Sequence, residues 1–134
     1  MNNIPLIIMA AGVSSRMKSS KSNTNLSEDQ IKESNSKAKG FIEVGKKKET
    51  IIFHIIKNSV IAGINEFYVI LSQDSLEFQN YLNKIAKELS VDIKFAFQDF
   101  YGNSKPLGTA DAIFQTINQF PELNKLRFLI LSLI

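Results

Sequence analysis

Directly after an almost purely apolar run, Ile4 to Met9, the chain places Ala10-Ala11-Gly12-Val13-Ser14-Ser15-Arg16. Residues this small let a backbone approach a ligand closely. Successive N–H groups in such a turn form a concave anion site, to which Arg16 adds a planar cationic fork. The chemistry on offer is that of holding a nucleotide's phosphates. Taken alone, the turn has a plainer explanation, the reversal of a buried strand without a clash. Other candidates carry similar plain readings. Lys39 lies near Lys37 and the Lys46-Lys47-Lys48 run, and a solvated surface explains all of them. His54, the single histidine, sits in an apolar stretch and reads as a packed structural residue. Asp111 falls in an expected first helical turn. A carboxylate is favoured there by the helix dipole whether or not it meets a substrate hydroxyl.

These residues need elements to position them. Ile4 to Met9 reads as a buried central strand of a parallel sheet. The segment from Lys18 to Lys39 is rich in Ser, Asn, Lys and Glu. It reads as a polar excursion, about residues 18–38, with Ser27 as an N-cap for a brief helix through Glu33. Gly40 to Val44 is a small extended piece. Thr50 then caps a helix in which Ile51, Ile52, Ile55, Ile56 and Val60 recur at helical spacing, closed by Gly63. Glu66 to Leu71 is a second strand, and Ser75 opens a helix with Phe78, Tyr81, Leu82, Ile85 and Leu89 on one face. Asp92 to Gln98 is a third strand. After a loop through Gly108, Thr109 or Ala110 begins a helix that carries Ile113, Phe114 and Ile117 inward, with Pro121 just past its end. Arg127 to Leu131 is a fourth apolar strand. Strict alternation of strand and helix predicts one α/β domain over residues 1–134, with a mostly parallel, three-layer Rossmann-like sheet.

Bulk properties agree with a single soluble domain. With 134 residues, 44% apolar and 22% charged, the chain is large enough to bury roughly two-thirds of its unfolded surface. A net charge of +3 suits anionic ligands but is not the clustered basic face of a nucleic-acid binder. The absence of cysteine excludes a disulfide framework and thiolate metal sites, and agrees with a cytoplasmic location. No apolar run approaches bilayer thickness, and the first residues do not resemble a signal peptide.

The run from Ala10 to Arg16 resembles the Ala-Ala-Gly-x-Gly-x-Arg signature of sugar-phosphate nucleotidyltransferases, with Ser14 in place of the second glycine. Lys39-Gly40-Phe41-Ile42-Glu43-Val44-Gly45 is similar to that family's lysine, apolar segment and glycine turn. Glu43 stands where a proline is usual, and the spacer from Arg16 is longer by on the order of ten residues. Gln98, followed by Lys105-Pro106-Leu107-Gly108-Thr109-Ala110-Asp111-Ala112, resembles the family's glutamine and Gly-Thr-Ala segment. The resemblance implies a nucleotide-diphospho-sugar transferase fold. It implies that Ala10, Ala11 and Gly12 line the nucleotide, that Arg16 and Lys39 act on the phosphates in transfer, and that Gln98, Gly108 and Thr109 handle the base. An amide offers a donor and an acceptor to a base edge, and a glycine leaves room for a planar ring.

The reaction the resemblance implies transfers a nucleoside monophosphate from a triphosphate to a sugar phosphate or similar phosphorylated acceptor, releasing pyrophosphate. It also implies Mg2+ held by an aspartate at the end of the fourth strand. Here Phe128-Leu129-Ile130-Leu131-Ser132 runs into Leu133 and Ile134 without a carboxylate. The expectation is therefore a truncated or inactive form lacking that metal ligand, with a non-catalytic nucleotide-binding or interaction module as the alternative. An apolar strand at this end is also expected to promote self-association.

Overall fold

A computed structural model describes residues 3–11, 43–47, 49–73, 75–104 and 107–133. The Ser27–Glu33 helix, Gly12, Arg16 and Lys39 lie outside the described residues. Four strands make one parallel sheet: β1 (Leu6–Met9), β4 (Glu66–Leu71), β5 (Asp92–Phe97) and β6 (Leu129–Ser132). Their spatial order is β5-β4-β1-β6, with Leu6 opposite Phe67 on one side and Leu129 on the other. The chain thus winds outward from β1 to β5 and returns to add β6 on β1's other side. In open α/β sheets such a reversal, outside the carboxyl ends of β1 and β6, is where ligands usually bind. The expected Rossmann-like α/β class is what forms. Two short strands, β2 (Glu43–Val44) and β3 (Glu49–Thr50), form a separate antiparallel pair.

Among the described residues three α-helices cover the sheet: α1 (Ile51–Ile61), α2 (Leu76–Leu89) and α3 (Thr109–Gln119), the last followed by a 3-10 turn, Pro121–Lys125. Alternation along β1 divides the core. Leu6 and Ile8 join Ile52, Phe53 and Ile56 of α1 and Phe78, Leu82 and Ile85 of α2 in one cluster. Ile7, Met9 and Ala11 join Tyr68, Ile70, Ala96, Ala112 and Leu123 in the other. Successive side chains of a strand point to opposite faces, so a fully apolar strand needs helices on both.

Local signals explain the helix limits. Thr50 Oγ1 accepts from the Phe53 N–H at 3.2 Å, capping α1. Gly63, at φ +97°, turns the chain out of α1 as its N–H reaches the Val60 carbonyl and the Ile64 N–H reaches the Ser59 carbonyl, both at 3.0 Å. This is the paired-bond ending that favours glycine. α2 ends in the same way with Ser90 in the left-handed conformation.

One expectation for α3 needs correction. Its inward stripe is Ala112, Gln115 and Thr116, with Ile113 and Ile117 half-buried, whereas Phe114 is 62% exposed. At 100° per residue, Phe114 lies about 200° round from Ala112, on the far side of the helix. The helix begins at the expected position. Gly108 occupies the cap position and Thr109 is the first helical residue.

Candidate functional site

The carboxyl end of the sheet gathers the described residues of the predicted site. The Ala10 N–H bonds the Ile70 carbonyl at 2.9 Å, extending β1 against β4. Ala10 packs toward α1 and α2, and Ala11 is buried in the cluster that contains Ala112 of α3's first turn. The Gln98 N–H bonds the Leu71 carbonyl at 2.9 Å, so the residue continues β5 with its side chain on the α3 face, in line with Lys94 and Ala96.

Gln98 is only 1% exposed. Its Nε2 donates to Asp111 Oδ2 at 3.1 Å and to the Gly108 carbonyl at 3.4 Å. Both partners are acceptors, so the amide nitrogen must face them. That leaves Oε1 buried without a hydrogen-bond partner among the described residues. A buried acceptor left alone costs about 1–3 kcal/mol and calls for an explanation. Beside it, Gly108 sits at φ 119°, ψ −177°, a region open in practice only to glycine. A Cβ added there would meet nothing within 4 Å. Glycine at 108 is thus required by the backbone, and the space next to it is open. No side chain caps α3, and Thr109 and Ala110 are exposed, so this N-terminus faces outward with its positive dipole end.

Sequence reading missed Gln115, which is 8% exposed. Its Nε2 donates to Asp111 Oδ2 at 2.7 Å and to the Asp99 carbonyl at 3.0 Å, while its Oε1 accepts the Asp99 N–H at 2.7 Å. The available signal was a polar side chain four residues beyond Asp111, a spacing that places both on one helix face. Asp111, considered for a substrate hydroxyl, has its Oδ2 held by two amides.

A second polar cluster lies at the amino end of the same face. The Tyr68 hydroxyl reaches Glu66 Oε1 at 3.0 Å and Glu122 Oε1 at 3.2 Å, and Lys94 Nζ reaches Glu66 Oε1 at 3.1 Å. The ammonium also lies 5.2 Å from the Tyr68 ring centroid. Burial, then the hydrogen bond and negative charge of Glu66, push the Tyr68 phenol up to about 12. The hydrogen bond to Glu66 raises Lys94 as well. This cluster ties β4, β5 and the 3-10 turn together.

Among the described residues no three His, Asp or Glu side chains come together as metal ligands. At the carboxyl end of β6 stand Ser132 and Leu133, neither of which carries a carboxylate. No helix among the described residues is long and apolar enough to cross a membrane.

An open parallel sheet whose winding reverses beside β1, with a glycine-capped helix and a buried amide at its carboxyl end, defines a Rossmann-like α/β domain. Residues 34–133 match the model of the nucleotidyl transferase family, and the chain belongs to that family. The matched span contains Lys39, Gln98, Gly108 and Thr109, and begins after Ala10 to Arg16. A search of curated proteins found none that matches.

Proposed function

We propose that the chain binds a nucleoside triphosphate across the carboxyl ends of β1 and β5. The intact reaction transfers its nucleoside monophosphate to a sugar phosphate or a similar phosphorylated small molecule and releases pyrophosphate. The observation that carries this reading is Gln98, whose Oε1 is buried with no hydrogen-bond partner among the described residues and whose amide nitrogen bonds the carbonyl of Gly108, where the space a Cβ would fill is open. An N–H on a base edge is the complement such an acceptor lacks. In this reading Gly108 and Thr109 border the base, and Ala10, Ala11 and Gly12 let the nucleotide approach β1. Arg16 and Lys39 act on the triphosphate, offsetting the negative charge that grows as the acceptor oxygen attacks the α-phosphorus in line. Mg2+ would offset the remainder. A cytoplasmic location is part of this reading, and the lack of cysteine agrees with it.

Titration with ATP, CTP, GTP and UTP, with and without Mg2+, tests the binding half. Pyrophosphate release on adding sugar phosphates tests the transfer half. Selective triphosphate binding that weakens in Arg16→Ala more than in Lys47→Ala is expected. Equal losses would remove Arg16 from the site. Binding without pyrophosphate release would favour a non-catalytic nucleotide-binding module. Lack of binding to all four triphosphates would end the proposal.

Self-association through β6 belongs to the same reading. No described strand pairs with β6's outer side, and Leu129 and Ile130 are 52% and 47% exposed. Ile130→Lys is expected to shift the protein toward monomer in sedimentation, because a charged edge opposes strand addition. An unchanged distribution would place any self-association elsewhere.

A further inference from the structure

Two glutamines four residues apart on α3 grip the outer edge of β5 in the same way. Gln119 Oε1 accepts the Phe97 N–H at 2.8 Å, and its Nε2 donates to the Phe97 carbonyl at 2.7 Å. Gln115 makes the equivalent pair with Asp99, at 2.7 and 3.0 Å. Each amide supplies what a neighbouring strand would supply, and so covers part of an otherwise open edge. They differ in two respects. The remaining Gln115 amide hydrogen goes to Asp111 Oδ2 at 2.7 Å, the oxygen that also receives Gln98 Nε2 at 3.1 Å. Gln119 has no such bond and is exposed, whereas Gln115 is buried.

We propose that Gln115 is a positioning residue that fixes which end of the Gln98 amide is offered to a nucleotide base. The proposal rests on the function proposed above. Gln98 is symmetric enough in shape to turn its amide by half a rotation, which would exchange an acceptor for a donor. What prevents this is the carboxylate of Asp111, the nearer and charged of the amide's two acceptors, which accepts from nitrogen and repels oxygen more strongly than the Gly108 carbonyl at 3.4 Å. Asp111 can do so only while its own side chain is held in place, and Gln115 holds it from one side while gripping the Asp99 backbone next to Gln98. Gln115 thus acts through Asp111, and the result is an acceptor-only amide. A base edge presenting an N–H is favoured, and one presenting only a lone pair at that point is rejected.

The experiment compares Gln115→Leu with Gln119→Leu in the full chain. Both remove one two-bond grip on β5, and only the first releases Asp111. Titrations use the four nucleoside triphosphates and inorganic tripolyphosphate as a probe without a base. Gln115→Leu should reduce the affinity ratio between the best and worst triphosphate by on the order of tenfold. Tripolyphosphate affinity should be unchanged in that variant, and Gln119→Leu should keep the ratio. An unchanged ratio in Gln115→Leu, or the same loss in both variants, overturns the proposal. A ligand-free arm follows the Gln98 side-chain amide by NMR. Broadened or doubled resonances in Gln115→Leu but not in Gln119→Leu support it, and identical spectra overturn it. If the wild type binds no triphosphate, the functional reading falls while this arm still decides whether Gln115 orients Gln98. Should Gln115→Leu fail to fold, Gln115→Glu keeps the acceptor for the Asp99 N–H but repels Asp111, and the same readouts apply.

Discussion

One strand, β5, carries Lys94, Ala96 and Gln98 on the same face, and the two ends of that row have opposite characters. At the amino end, the Tyr68 hydroxyl and Lys94 ammonium find Glu66 and Glu122. At the carboxyl end, Gln98 spends its nitrogen on Gly108 and Asp111 and leaves Oε1 with no partner among the described residues. Tyr68 and Gln98 are both buried, so burial alone does not separate these two side chains. Satisfaction does. A polar group buried with its partners specifies the packing of its neighbours, whereas one buried with an atom unmatched lowers stability until something supplies the match. The amino end is therefore read as structural and the carboxyl end as a place for a ligand.

The largest effect expected is at the structural end. Tyr68→Phe removes a hydroxyl that bridges β4 to the 3-10 turn and leaves Glu66 and Glu122 facing each other without it. A loss of about 1–3 kcal/mol and a Tm lower by several degrees follow, with triphosphate affinity unchanged. The pH dependence has a definite sign. A phenol raised from 10.0 to about 12 in the folded protein keeps its proton in the fold where the unfolded chain has released it. Its contribution is full below pH 10 and is lost as pH rises toward 12. The raised Lys94 likewise contributes below its unfolded value and fades as pH rises through its folded value. Thermal melts from pH 8 to 12 should fall more steeply in the wild type than in Tyr68→Phe. Parallel curves would mean that the phenol is not what holds this end together.

A smaller effect, split between two readouts, is expected at the other end. Gln98→Leu conserves volume and removes the orphaned oxygen together with two nitrogen bonds, one of them long at 3.4 Å. The penalty removed is about as large as the bonds lost, so Tm should hold steady or rise. Triphosphate affinity should nevertheless drop by about tenfold, equivalent to about 1.4 kcal/mol. A Tm loss as large as that of Tyr68→Phe would make Gln98 another structural polar group and erase the distinction between the two ends.

Much of the frame was legible from periodicity. The apolar run ending at Met9, the aromatic and β-branched run from Glu66 and the Phe78–Leu82–Ile85 stripe are local patterns, and each forms the expected element. The phase of α3 was not legible in the same way. Ile113, Phe114 and Ile117 are its largest apolar side chains, yet the surface facing β5 takes Ala112, Gln115 and Thr116. Small side chains let the helix sit close, and Thr116 satisfies its buried hydroxyl on the Ala112 carbonyl at 2.7 Å. Gln98 and Gly108 stood out because a resemblance marked them. Gln115 had no mark, because its role depends on the backbone of Asp99, which only tertiary packing brings alongside. The pairing of Tyr68 with Lys94 likewise needs the β4–β5 register, in which the two are opposite each other.

The smallest expected effect tests how much of the amino-end cluster depends on charge alone. Lys94 Nζ lies 3.1 Å from Glu66 but 3.9 Å from Asp92, whose side chain is 64% exposed. The longer contact is open to water and salt, so Asp92→Asn should cost under about 0.5 kcal/mol, and less still at high ionic strength. Glu66→Gln is different. Its oxygen is shared by Lys94 and Tyr68, and an amide in its place keeps an acceptor but loses the charge that binds the ammonium. The cost should exceed that of Asp92→Asn and persist in salt, since the Glu66 side chain is 25% exposed. Chemical unfolding of both variants at low and high salt measures the difference. If the two lose equal stability and salt erases both losses, the cluster is surface electrostatics, and the contrast with Gln98 would rest on the tyrosine hydroxyl alone.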